Sequence, residues 1–165
     1  MSNSWDSDFE FTDLNNDGVD ETAYKEIDLD NDGLSDDVYG EMDMDGDGYA
    51  DTEFVGIDND DDGIVDDVFG DIDIDEDGVV DGNFEFIDVD GDGEFDAYYM
   101  DGDTDGNGDI DTVVAGVDYD GDGYADEVYH GADYDGDGYI DHECGEVDYD
   151  GDGYSDASYN SDDYI

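Results

Sequence analysis

The chain has 165 residues and sets 59 acidic side chains against one basic one, Lys25, for a formal net charge of −58. That charge opposes collapse, yet 13% of the residues are aromatic and none is proline, which is unlike an acidic disordered tail and points to a chain that folds once its charge is neutralised. With no basic patch, phosphate-contacting nucleic-acid binding and attraction to anionic membrane surfaces are excluded; no apolar run approaches transmembrane length, so no membrane insertion is expected.

The first residues lack both the basic start and the apolar stretch of a secretory signal. Residues 1–12 read as an N-terminal half-repeat strand. Within them, Asp6-Ser7-Asp8-Phe9-Glu10-Phe11-Thr12 aligns with Asp81-Gly82-Asn83-Phe84-Glu85-Phe86-Ile87.

From residue 13 to residue 162 a fifteen-residue unit recurs ten times without insertion or deletion. Its first nine residues follow D-x-D-x-D-G-x-x-D, and its last six are rich in aromatic and β-branched residues. Positions 1, 3, 5 and 9 offer side-chain oxygens, and position 7 offers a backbone carbonyl. In the first loop these are Asp13, Asn15, Asp17, Glu21 and, by its carbonyl, Val19. The second has Asp28, Asp30, Asp32, Leu34 and Asp36, and the third has Asp43, Asp45, Asp47, Tyr49 and Asp51. The fourth has Asp58, Asp60, Asp62, Ile64 and Asp66, and the fifth has Asp73, Asp75, Asp77, Val79 and Asp81. The sixth has Asp88, Asp90, Asp92, Glu94 and Asp96, and the seventh has Asp103, Asp105, Asn107, Asp109 and Asp111. The eighth has Asp118, Asp120, Asp122, Tyr124 and Asp126. The ninth has Asp133, Asp135, Asp137, Tyr139 and Asp141, and the tenth has Asp148, Asp150, Asp152, Tyr154 and Asp156. Residues 163–165 form a short C-terminal tail.

The columns follow calcium chemistry. Ca²⁺ is a hard cation that takes about six to eight oxygen ligands from carboxylates, carbonyls and water. Alternate carboxylates converge when the backbone curls around an ion, and the glycine found at position 6 in every repeat permits the sharp turn. The carbonyl at position 7 then faces the metal, so its side chain is free to vary. About ten Ca²⁺ ions per chain are expected. Magnesium fits less well, because it keeps its waters and takes few protein ligands.

The six residues after each loop suit a short strand and are too few for a packed helix. Position 12 is aromatic or apolar, from Tyr24, Tyr39 and Phe54 to Tyr129, Cys144 and Tyr159, and is expected to form core between sheets. Tyr119 and Tyr124 flank a loop and are expected to form surface ladders. His130 and His142 fall in unrelated columns and read as incidental, and Cys144 reads as buried filler. A single cysteine excludes an intrachain disulfide.

A weaker period of thirty overlies the fifteen. Position 11 is Val38, Val68, Tyr98 and Val128 in even repeats but Ala23, Glu53, Asn83, Val113 and Glu143 in odd ones. Odd and even strands therefore occupy different environments. The expected fold is an all-β, calcium-stabilised repeat protein of ten loop-strand units. Two architectures satisfy the pattern: a β-solenoid or β-roll with a strand on each of two sheets, and an antiparallel meander with loops alternating between two edges.

The loop resembles the D-x-D-x-D-G calcium loops of EF-hands, thrombospondin type-3 repeats and integrin-type FG-GAP propellers; Asp118, Asp120, Asp122, Gly123 and Asp126 carry the pattern. An EF-hand has a glutamate where this chain has an aromatic residue at position 12, and it has flanking helices that six residues cannot form. The integrin-type loop, which ends at position 9 and leads into a strand, is the nearest local match. Regular stacking is similar in concept to RTX β-rolls, whose own glycine-rich motif is absent.

No catalytic constellation stands apart from the repeat, so an enzyme is not expected. The expected role is structural: a calcium-binding repeat protein that becomes rigid on Ca²⁺ binding, extracellular or at the cell surface where calcium is millimolar. End-to-end strand stacking into a homopolymer would give a filament or surface layer. The alternatives are a monomeric adhesin stalk or spacer, and a calcium buffer or mineral-binding protein.

Overall fold

The computed structural model describes residues 9–13, 20–73, 75 and 77–161. Asn15, Asp17 and Val19 of the first loop, the start of the half-repeat and the C-terminal tail lie outside the described residues.

The strands, in chain order, are β1 (Glu10–Thr12), β2 (Thr22–Ile27), β3 (Asp37–Met42), β4 (Thr52–Ile57), β5 (Asp67–Ile72), β6 (Gly82–Ile87), β7 (Ala97–Gly102), β8 (Thr112–Val117), β9 (Glu127–Ala132), β10 (His142–Val147) and β11 (Ala157–Asn160). They form one 11-stranded sheet in sequence order, and each neighbouring pair is antiparallel. Of the two architectures left open by the repeat, the chain takes the meander. At about 4.8 Å per strand, the sheet extends roughly 48 Å across its strands.

Most of the loops are wide turns closed by a backbone hydrogen bond from position 9. In the loop beginning at Asp43, the N–H of Asp51 donates to the carbonyl of Met42 at 2.9 Å; the N–H of Asp66 donates to Ile57 at 2.8 Å in the next. Position 6 takes a left-handed conformation, as at Gly48 (φ 99°). Position 4 does so too, at Gly46 (φ 79°) and at the non-glycine residues Asn31 (φ 64°) and Asp61 (φ 61°).

Successive loops lie on opposite edges, so loops two repeats apart are neighbours. Backbone hydrogen bonds join them: Asp73 N–H donates to the Asp51 carbonyl at 2.7 Å, and Asp103 N–H to that of Asp81 at 2.6 Å. On the other edge, Asp88 N–H donates to Asp66 and Asp118 N–H to Asp96, both at 2.7 Å. One edge is thus a hydrogen-bonded ladder from the first loop to the ninth, and the other from the fourth loop to the tenth.

The register explains the period of thirty. Tyr24, Gly40, Phe54, Gly70 and Phe84 are successive cross-strand partners on one face. Lys25, Tyr39, Val55, Phe69 and Glu85 make the matching row on the other. Position 12 therefore faces one way in odd repeats and the opposite way in even ones. The position-12 rings are not core between two sheets, because the described residues form a single layer whose two faces share them. Phe69 and Tyr159 stand 42% and 40% exposed. Cys144 is likewise only half-buried.

Among the described residues, Ala23 is the one buried hydrophobic side chain. The buried set is instead dominated by loop aspartates, including Asp43, Asp51, Asp58, Asp88 and Asp133. Burying carboxylates is costly unless each is hydrogen-bonded, and the loop geometry supplies those bonds.

Candidate metal centres

The position-1 carboxylate organises each loop. Asp43 accepts backbone N–H groups from Gly46 at 2.6 Å, Asp47 at 3.2 Å and Gly48 at 2.7 Å. The bond from position 6 to position 1 recurs in every loop from the second to the tenth, as in Gly33 to Asp28, Gly123 to Asp118 and Gly153 to Asp148. These N–H groups stabilise the charged form. In Asp103, the Gly108 N–H leads in holding the carboxyl below its usual range. In Asp88, Asp118, Asp133 and Asp148, burial pushes the other way but the combined backbone N–H groups prevail, and the pKa again falls.

In the loop beginning at Asp43 the other carboxylates each commit one oxygen to the backbone. Asp45 Oδ1 accepts from Asp47 N–H at 3.0 Å, and Asp47 Oδ1 from Tyr49 N–H at 2.9 Å. Asp51 Oδ2 accepts from Met44 N–H at 2.6 Å. The second oxygen of each takes no hydrogen bond among the described residues. In this loop Asp43, Asp45 and Asp51 bring ligand oxygens within 4.8 Å of one another, as do Asp73, Asp75 and Asp81, and Asp88, Asp90 and Asp96. In two other loops the convergent set is positions 1, 3 and 5: Asp28, Asp30 and Asp32, and Asp58, Asp60 and Asp62.

Position 3 bears the electrostatic cost of that convergence. The charge of Asp62 is the first cause raising the Asp60 pKa, and Asp92, Asp137 and Asp152 act in the same way on Asp90, Asp135 and Asp150. Asp120 is raised by burial first and by the Asp122 charge second. The repulsion also crosses between loops: Asp61 is raised by burial and then by Asp32, Asp36 and Asp30 of the neighbouring loop. A cation among these oxygens would relieve both effects. Among the described residues, the carboxylate oxygens Asp28 Oδ1, Asp36 Oδ2 and Asp73 Oδ1 are buried without a hydrogen-bond partner. This donor set of clustered hard oxygens, some of them orphaned, fits a hard divalent cation.

The second loop departs from the expected column. Leu29 N–H donates to Asp37 at 2.9 Å, not to Asp36. In the third, fourth and sixth to tenth loops the equivalent bond goes to position 9, as in Asn59 to Asp66 and Tyr119 to Asp126. Asp36 and Asp37 are adjacent carboxylates, so spacing alone does not distinguish them.

His130 and His142, from unrelated columns, arrive on one face. His130 is the direct cross-strand partner of Cys144, and His142 precedes Cys144 by two residues on β10. The His142 ring lies 5.8 Å from that of Tyr134. The loop tyrosines are surface residues, Tyr119 and Tyr124 being 71% and 65% exposed.

No family model, curated protein or solved structure matches the chain.

Proposed function

We propose that this is a structural calcium-binding repeat protein, related in loop chemistry to D-x-D-x-D-G calcium proteins, in which Ca²⁺ does the work that a hydrophobic core does elsewhere. One observation carries the reading: most of the buried side chains among the described residues are loop aspartates, and loop carboxylate oxygens converge. Positions 1, 3, 5 and 9, from Asp28 through Asp156 and by repetition in the loop beginning at Asp13, would hold the ions, with the position-7 carbonyl completing the set. Bound calcium would supply counter-charge to carboxylates that otherwise repel.

Because the loops on each edge are joined by hydrogen bonds, filling one loop favours the geometry of the next. Calcium loading then stiffens the sheet along its whole length. β1 and β11 are the first and last strands of the sheet among the described residues, and edge strands invite pairing. End-to-end stacking through these edges would give an extracellular filament or surface layer.

The test is a calcium titration followed by circular dichroism and isothermal calorimetry. The expected result is strand content that rises cooperatively with calcium and collapses in EDTA. Full β-structure in EDTA, unchanged by calcium, would reject the reading.

A further inference from the structure

The two faces of the sheet differ in a way that the loops do not explain. Every strand from β3 to β9 places three residues on each face. On one face those strands carry Asp37, Glu41, Glu53, Glu85, Asp101 and Glu127, among others. On the other they carry no carboxylate at all, in a chain with 59 acidic residues. The carboxylate-free face is built from residues such as Phe54, Val68, Phe84, Phe86, Tyr98 and Met100. A groove of about 330 Å³ runs over it, lined also by Met44 and Phe95 from the flanking loops.

Sheets that bury one face in a second layer show such alternation. Within the described residues there is no second layer.

We propose that this face is covered by the same face of a second copy of the chain, giving a two-layer sandwich with two-fold symmetry. Charge decides the occupant. The acidic face and both loop edges of a neighbouring copy would bring unpaired carboxylates against apolar surface, which is costly. The matching face of a second copy brings none, and a self-complementary patch closes as a pair. Area agrees: seven strands of six residues make a patch about 34 Å by about 20 Å. The pair would cover about 1,400 Å² in total, within the range of stable interfaces. Pairing uses the faces and not the β1 and β11 edges, so it is compatible with end-to-end growth but does not require it.

The experiment is sedimentation of the full chain in calcium, with circular dichroism of the same samples reporting the fold separately. The expected species contains two chains. Phe84→Glu, at the centre of the face, is expected to weaken pairing at least 100-fold. Met100→Glu lies on the same face at a site already 38% exposed, where a charge should disturb the fold less, and should also give monomer. Phe69→Glu, on the acidic face, should leave the pair intact. A folded wild-type chain that stays monomeric would overturn the proposal. So would a dimer or open-ended polymer that Met100→Glu does not disturb, or capture of this face by an unrelated partner in place of the second copy.

Discussion

Gly40 stands directly opposite Phe54 in the β3–β4 ladder, and the Phe54 ring occupies the space that a Cβ on Gly40 would fill. The same pairing joins Gly70 to Phe84 and Gly145 to Tyr159. A ring laid over a strand glycine covers backbone that would otherwise be bare, which rescues the strand from the weakness of glycine. The glycines differ in what else they meet. At Gly40 the obstruction is the end of a ring that can swing aside, but at Gly70 it includes the Glu53 carbonyl of the neighbouring strand. Gly102 has only the Asp81 carbonyl nearby, at 3.9 Å. Gly70→Ala should therefore cost about 1–3 kcal/mol, Gly40→Ala less, and Gly102→Ala nothing or a gain of up to about 1 kcal/mol. Urea midpoints measured in saturating calcium would give the order.

Position 4 of the loop makes a second demand. Asn31 and Asp61 adopt φ of 64° and 61° there, a region open to glycine and tolerated by Asn and Asp. Asn31→Gly should be neutral or slightly stabilising, whereas Asn31→Val should cost about 1–2 kcal/mol of strain. The urea midpoint is the readout, and equal midpoints for the Gly and Val variants would contradict the strain.

These two features mark what was legible in the sequence. The loop register and the position-6 glycines were readable because every repeat shares them. The alternation of faces was readable from Val38, Val68, Tyr98 and Val128 against Glu53, Asn83 and Glu143. The position-4 requirement was written in Asn31, Gly46, Asp61 and Gly91, but as three residue types that share a backbone conformation and not a side chain. The exchange of Asp37 for Asp36 was illegible because both are aspartate. The single layer was illegible for a different reason. A period of two tells which residues share a face, but not how many layers the faces enclose, so Phe54 and Phe69 looked like one core column when they lie on opposite faces.

Asp43 and Asp45 should separate loop-building from ion-holding. Asp43 accepts three backbone N–H groups, two on one oxygen and one on the other. Asp43→Asn sets an amide N–H group against one of those donors and leaves it unpaired. It should lose one calcium per chain by calorimetry and cost about 1–3 kcal/mol. Asp45 accepts one N–H, from Asp47, and an asparagine oxygen can accept it equally well. Asp45→Asn should lose or weaken the same ion with little change in the stability of the loop itself. Indistinguishable stabilities for the two variants at matched occupancy would remove the organising role assigned to position 1.

Alkaline pH tests the acidic face. Burial, the hydrogen bond that the Tyr39 hydroxyl donates to Glu41 at 3.0 Å, and the charges of Glu41 and Glu53 push the Tyr39 pKa from 10.0 up to about 12. Tyr24, Tyr99, Tyr129 and Tyr159 are also raised, by neighbouring carboxylates, burial or both. A raised phenol keeps its proton in the folded state after the unfolded chain has lost it, so the folded state binds more protons across that interval and stability falls as pH rises. The contribution is present in full below pH 10 and is lost as pH climbs to about 12. Phenolate absorbance should show a late step that Tyr39→Phe removes and that Glu41→Gln moves towards lower pH. Tyr39→Phe should also flatten part of the alkaline loss of stability. A Tyr39 that titrates at the ordinary phenol value of 10.0, and a Phe variant with unchanged alkaline stability, would show that the acidic face exerts no such pressure.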